Sequence, residues 1–353
     1  MRKVILFSFF LFMGINCCLA STSSAYEYVL MDQTTGRVLS GKNYDKPMLI
    51  ASITKIMTCI IAIESNKLDN TVLVDDTILR AYGSGIYIEI GEEITLRDLL
   101  YGLMLRSGND AALMVSKYVG GSVPNFVKMM NDKAIELEMK NTTFVNPSGL
   151  DDDGGNYSTA YDMALLTRYA MKNQEYRNIV GTKSYTIKTN KKTYVWKNKN
   201  KLLKEEYITG GKTGYTDKAR RTLVSTGSKN NMDLIVVTIR DSDDWNTHKS
   251  LYNMAFNKYI SYKFLDKNNF KIMGNNYYKG DFYIKNSVYI PVTNNELADI
   301  SGKVKLNVID NYKTGDMVGY YIISLGRKIL YKEKIYIKKN INKKKNSWFR
   351  ELF

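Results

Sequence analysis

The chain has 353 residues, enough for two domains, and its 51 Lys+Arg against 35 Asp+Glu give a formal net charge of +16 at pH 7. His248 is its one histidine, and its cysteines are Cys17, Cys18 and Cys59. A Ser-His-Asp hydrolase needs a histidine base and a metallopeptidase usually needs at least two histidine ligands, so an amide hydrolase built on this chain has to use lysine, with no metal and no cofactor.

Met1-Arg2-Lys3 precedes an apolar run from Val4 to Ile15, and small residues follow at Ala20 and Ser23-Ser24-Ala25. A charged start, a short apolar core and a small-residue exit predict a secretory signal peptide over 1–25, cleaved after Ala20 or Ala25. The run is well short of the roughly 20 residues of a membrane span. Asn16 stands where a lipidation signal at Cys17 wants a small residue. Removing the leader leaves Cys59, whose neighbours Ile56, Ile60 and Ile63 suggest a buried, inert thiol. For an exported chain the positive charge suits anionic lipid and wall polymer rather than nucleic acid. The lysines are widely spread, which reads mainly as a solvated basic surface.

Residues 26–40 predict a strand–turn–strand around Thr34-Thr35-Gly36. From 52 to 63, Ile53, Ile56, Met57, Cys59, Ile60, Ile61 and Ile63 leave a narrow polar strip with Lys55, Thr58 and Glu64, the pattern of a central, buried helix. Further helices are expected from Thr95 toward Arg106, from Asp110 to Gly120-Gly121, and from Tyr161 to Met171 with Ser158, Thr159 and Asp162 as caps. Residues 222–226 and 234–239 flank Lys229-Asn230-Asn231 as an antiparallel hairpin. Helices between strands at both ends predict one α/β (α+β) domain over 26–262, its sheet completed by both ends. Short alternating strands at 287–292, 304–308 and 328–338 predict a small all-β module over 275–339. In the tail, 340–353, Lys343-Lys344-Lys345 precedes Trp348, Phe349, Leu352 and Phe353 on one helical face, the pattern of a peripheral membrane contact, or else of a frayed basic end.

Three motifs carry chemistry in combination. Ser52-Ile53-Thr54-Lys55 is followed after 55 residues by Ser107-Gly108-Asn109, and after a further 105 by Lys212-Thr213-Gly214. Each alone reads as a helix cap, a solvent lysine or a turn; together, in a chain without a histidine base, they describe a serine acyl-transfer site. Ser52 starts the buried helix, and Lys55, three residues on, shares its face and can reach its hydroxyl. Burial and a second cation, for which Lys212 is a candidate, would favour the neutral amine that takes the Ser52 proton. Ser107 supplies a second hydroxyl to hand that proton on, and Asn109 an amide for substrate backbone. Lys212, Thr213 and Gly214, at a strand start, offer charge, a hydroxyl and close backbone approach to an extended peptide. The amides of Ser52 and Tyr215 are candidates for an oxyanion hole.

With these residues the chain resembles the low-molecular-mass penicillin-binding proteins, serine-type D-alanyl-D-alanine carboxypeptidases, from about Tyr26 to Tyr262. Similarity extends through 51–58, 146–150, 158–164 and 210–216. The resemblance implies a β-lactamase/transpeptidase-like fold, an antiparallel sheet flanked by helices with a helical lobe. It implies Ser52 as acyl-ester nucleophile, Lys55 as proton acceptor, Ser107 as second catalytic serine, and Asn109, Lys212 and Thr213 as substrate-holding residues. It implies peptidoglycan stem peptides ending in D-Ala-D-Ala as substrate and β-lactam inhibitors as slow-release analogues. Asn156 stands where relatives often carry histidine, and Arg220 where glycine is more usual. Relatives also place a basic residue downstream near the substrate carboxylate, and Arg240 and His248 are both open to that place. A class A β-lactamase shares the trio but needs a glutamate in the intervening loop, and 146–160 carries Asp151-Asp152-Asp153 and none. A non-catalytic wall-peptide or penicillin sensor, and a transpeptidase or endopeptidase, stay open as alternatives.

Overall fold

The computed structural model describes residues 23–338, apart from 153 and 279. Most of the expected leader and the whole basic tail lie outside the described residues.

The central sheet is built from both ends of the first domain. It contains β1 (Glu27–Asp32), β2 (Val38–Lys42), β3 (Ile208–Thr216), β4 (Arg220–Lys229) and β5 (Met232–Ile239), in the antiparallel order β2-β1-β5-β4-β3. Asn230 and Asn231 close the β4–β5 hairpin with φ of 53° and 58°. Two central residues with positive φ match the right-handed twist of the strands, and asparagine tolerates that region. The near-continuous apolar run of β5 is explained by burial on both faces. Val29, Ile235 and Val237 pack into the larger core, while Leu30, Leu234 and Val236 face α7 (Asp244–Lys258) through Leu251, Tyr252 and Ala255.

The expected central helix is observed as a 3-10 turn over Ala51–Thr54 leading into α1 (Lys55–Glu64). Every residue of α1 except Glu64 is buried, Lys55 and Thr58 included. Around α1 lie α2 (Leu96–Tyr101), α3 (Asn109–Gly120), α4 (Val123–Glu136), α5 (Ala160–Ala170) and α6 (Gln174–Gly181). Thr159 caps α5 by accepting from the Asp162 amide, whereas Ser158 instead bonds Thr142. α4 is not among the helices expected above, although Ser122 as cap, Pro124, and Phe126, Met130 and Ala134 at four-residue spacing mark it.

The second unit begins earlier than expected. β6 (Ile260–Leu265), assigned in part to the first domain from sequence, pairs with β8 (Val288–Val292). A four-stranded sheet follows in the order β7 (Phe282–Tyr283), β11 (Lys328–Ile337), β10 (Met317–Leu325), β9 (Ile300–Leu306). Strand β10 was not foreseen, though Tyr320 to Ile323 is rich in β-formers. Leu265, Ile290, Val318 and Ile335 form a separate core. Arg37 ties the units by donating to the Pro291 carbonyl at 3.0 Å and pairing with Glu296.

Candidate active site

The turn that carries Ser52 is clamped between two glycines. A Cβ on Gly214 would stand 2.9 Å from the Ser52 amide nitrogen, and one on Gly149 2.0 Å from the Ala51 carbonyl oxygen. The edge strand β3 and the 146–149 loop thus hold a turn whose Ala51 has a left-handed φ of 48°. Thr222 Oγ1 on β4 donates to the Ile50 carbonyl at 3.0 Å and fixes the entry to the turn.

Lys55 is fully buried, and its Nζ donates to Ser52 Oγ at 3.0 Å, to Asn109 Oδ1 at 2.7 Å and to the Ser148 carbonyl. Burial is the main cause that pulls its amine down to about 7; the Lys199 charge adds to it and Asp110 opposes it. A lysine so placed carries a substantial neutral fraction at neutral pH, as a base for Ser52 requires.

Ser107 follows a π-helical turn over Gly102–Arg106 and adopts a left-handed φ of 65°. This delivers its hydroxyl to Lys212, whose Nζ donates to Ser107 Oγ at 3.0 Å and to the Thr213 carbonyl at 2.7 Å. Asn109 opens α3 and donates from Nδ2 to the Tyr82 carbonyl at 2.6 Å. Lys212 is buried and held well below the usual lysine range by desolvation first, then by Lys55 and Lys199. A substrate carboxylate beside it would favour the charged form, so anion binding and protonation of Lys212 are linked.

Thr213, Gly214 and Tyr215 line a cleft of about 280 Å³ together with Ser52, Ser107, Ser84, Lys199, Arg221, Asp244 and Trp245. One expectation is corrected: Lys212-Thr213-Gly214 lies in the middle of β3 rather than at its start. Two cations bear on Lys55, Lys199 and also Lys212, whose mutual repulsion with Lys55 lowers Lys212 as well.

Long-range folding brings in residues the motifs do not announce. The Ser148 carbonyl and Lys199 are two. Asn156 is a third: its Nδ2 donates to Thr54 Oγ1 at 3.0 Å and to the Asn146 carbonyl at 2.9 Å, while its Oδ1 accepts from Val145 and Asn146. Arg221, ion-paired to Asp244 at 2.6 Å and set over the Trp245 ring, is the cation that β4 brings to the cleft. His248 is fully buried between Ser225 at 2.6 Å and Thr238 at 3.1 Å, and burial lowers it to about 3. It is neutral and closed off from the cleft. Arg240 lines a neighbouring pocket with Tyr215 and Arg220 instead. Among the described residues no group of His, Cys, Asp and Glu is arranged to hold a metal ion.

A serine with a buried lysine at hydrogen-bond distance, at the start of a helix packed against an antiparallel sheet, is the arrangement of a serine acyl-transfer enzyme. The family model for D-alanyl-D-alanine carboxypeptidase matches residues 17–243, and the chain belongs to that family. It is 35% identical over 250 residues to the D-alanyl-D-alanine carboxypeptidase DacF of Bacillus subtilis, covering 68% of this chain and 64% of the relative. It is 36% identical over 231 residues to DacA of Haemophilus influenzae, covering 61% and 57%. These matches span about six-tenths of the relatives' length. Penicillin-binding protein 5 from Haemophilus influenzae superposes over 90% of this chain and 97% of its own, with a TM-score of 0.74 at 26% identity. A Mycobacterium tuberculosis D-alanyl-D-alanine carboxypeptidase structure superposes over 66% of this chain and 91% of its own, with a TM-score of 0.64 at 30% identity.

Proposed function

We propose that this chain is a penicillin-sensitive D-alanyl-D-alanine carboxypeptidase acting on peptidoglycan stem peptides. The observation that carries the reading is the 3.0 Å contact between Lys55 Nζ and Ser52 Oγ, with the amine pulled near neutrality by burial. Neutral Lys55 takes the Ser52 proton as Oγ attacks the carbonyl of the penultimate D-Ala. Negative charge developing on that oxygen is met by the amides of Ser52 and Tyr215. Collapse breaks the peptide bond, Lys55 returns its proton through Ser107 to the leaving amine, and free D-alanine departs. Water then attacks the Ser52 ester with Lys55 again as base. Asn109 and Gly214 align the peptide backbone, and Lys212 and Thr213 meet its terminal carboxylate. A β-lactam follows the same acylation and stays on Ser52, because its leaving amine remains tethered.

The 146–160 segment favours this over a class A β-lactamase, because it carries Asp151-Asp152-Asp153 and no glutamate to activate a deacylating water. On this reading the chain works on the outer face of the cell membrane or in the wall. Residues 1–25 direct export and 340–353 rest on the membrane surface.

The test is D-alanine release from a D-Ala-D-Ala-ended muropeptide, wild type beside Ser52→Ala. Release by the wild type alone supports the reading. Covalent penicillin labelling without release would favour a sensor, and faster penicillin hydrolysis than peptide hydrolysis would favour a β-lactamase.

A further inference from the structure

Behind the residues that hold Lys55 lies a second cavity, of about 200 Å³. Asn109 and Ser148 line it, and both accept from the Lys55 amine, Asn109 through Oδ1 at 2.7 Å and Ser148 through its carbonyl. The cavity shares no lining residue with the cleft of Ser52, Thr213 and Tyr215. The Lys55 amine links the two spaces, since it bonds Ser52 on the cleft side and Asn109 and Ser148 on the cavity side. On the proposed mechanism the leaving D-alanine occupies the cleft beside Thr213. The acylated half of the peptide, which Asn109 aligns, then runs toward the cavity.

The lining of this cavity is mixed. Leu113, Val123, Val145, Pro147 and Leu150 give it an apolar wall, and Arg80 and Asp152 bring charges of opposite sign to it. Both charged residues are exposed, and among the described residues neither makes a hydrogen bond or an ion pair. The segment that carries Arg80 is held in place from two directions. Arg80 ends a 3-10 turn over Asp76–Arg80, whose cap Asp75 is paired to Lys117 of α3 at 2.7 Å. Just beyond it, the Tyr82 carbonyl accepts from Asn109 Nδ2 at 2.6 Å. An apolar wall suits a methylene stem. A lone ammonium at its end would be drawn to Asp152 and repelled by Arg80, and a lone carboxylate the reverse. A group that carries both charges on one carbon satisfies both residues.

We propose that this cavity is a specificity subsite for the side chain of the stem-peptide residue that precedes the penultimate D-Ala. It selects a diamino-dicarboxylic residue, whose side chain ends in an ammonium and a carboxylate, over lysine, whose side chain ends in an ammonium alone. Arg80 meets the side-chain carboxylate, Asp152 the ammonium, and the apolar wall the methylenes between. The proposal rests on the carboxypeptidase reading and deepens it.

The experiment uses two pentapeptides that end in D-Ala-D-Ala and differ only at the third residue, meso-diaminopimelate or L-lysine. D-alanine release from each is measured in wild type, Arg80→Gln and Asp152→Asn. Acylation by benzylpenicillin, which carries no such side chain, should stay within about twofold of wild type in both variants. The wild type should favour the diaminopimelate peptide by roughly fivefold or more in kcat/KM. Arg80→Gln should bring that ratio to about one, chiefly by slowing the diaminopimelate peptide. Asp152→Asn should slow both peptides by a similar factor, because both carry the ammonium. Equal rates for the two peptides in wild type, a preference that Arg80→Gln leaves intact, or unchanged rates in Asp152→Asn each overturn the inference, while release itself keeps the carboxypeptidase reading. If neither peptide releases D-alanine, that reading fails, and the same peptides are compared as competitors of benzylpenicillin acylation. Stronger competition by the diaminopimelate peptide in wild type, lost in Arg80→Gln, then upholds the subsite, and equal competition overturns it.

Discussion

Gly149 packs so closely on Ala51 that a Cβ at Gly149 would stand 2.0 Å from the Ala51 carbonyl oxygen, while Gly149 itself adopts a φ of 88°. Both the contact and the dihedral exclude a side chain. Gly149→Ala should push the 146–149 loop off the nucleophile turn and take the Ser148 carbonyl away from Lys55. We expect acylation by benzylpenicillin to fall at least about a hundredfold and stability to drop by roughly 3 kcal/mol or more. Wild-type acylation in a folded Gly149→Ala protein would show that the clamp does not position Ser52.

The base has a pH signature. On the proposed mechanism Lys55 acts as the neutral amine, and burial lowers it from the usual lysine range to about 7. Acylation should therefore rise with pH through about 7 and be lost as Lys55 gains its proton below that point. Lys55→Gln should remove the limb and slow acylation by roughly a thousandfold or more. Stopped-flow acylation from pH 5 to 9 checks both.

His248 carries an acid-stability prediction instead of a catalytic one. Burial lowers its value from 6.5 to about 3, so between those limits the unfolded chain binds a proton that the native chain does not. Stability from this group is full above pH 6.5 and is lost as pH falls toward 3, by up to about 5 kcal/mol. His248→Gln, which offers a donor and an acceptor but does not titrate, should flatten that slope in urea melts between pH 6.5 and 4. Its acylation rate at pH 7.5 should stay within a few-fold of wild type.

Asn156 uses both ends of its amide to join the Thr54 turn to the 145–146 backbone. Asn156→Ala leaves the part-buried amides of Val145 and Asn146, the Asn146 carbonyl and the buried Thr54 hydroxyl short of a partner. A loss of about 2–3 kcal/mol is expected from denaturant midpoints, with acylation slowed as the turn loosens. An unchanged midpoint would show that the bridge contributes nothing to stability.

Arg220 holds a left-handed φ of 61° in an exposed position. Arg220→Gly should relieve that strain and raise stability by roughly 0.5–1 kcal/mol after the entropy cost of glycine. Thermal melts of the two proteins decide it.

What could be read from the chain alone was local. Ser52 and Lys55 share a helical face because they are three residues apart. The Asn230-Asn231 hairpin follows from its turn residues, and the cap at Thr159 from its spacing to Asp162. Such features depend on a few neighbouring dihedrals, so periodicity and residue type determine them. The tertiary structure decided what no spacing encodes. It brought Lys199 and Lys212 together beside Lys55, and set the Ser148 carbonyl on the lysine 93 residues before it. It sealed His248 in a core and moved 260–265 into the second unit. Those outcomes turn on contacts between residues far apart in the chain and on how much water each buried charge loses. Both quantities exist only once the sheet, the helical lobe and the loops have closed around one another.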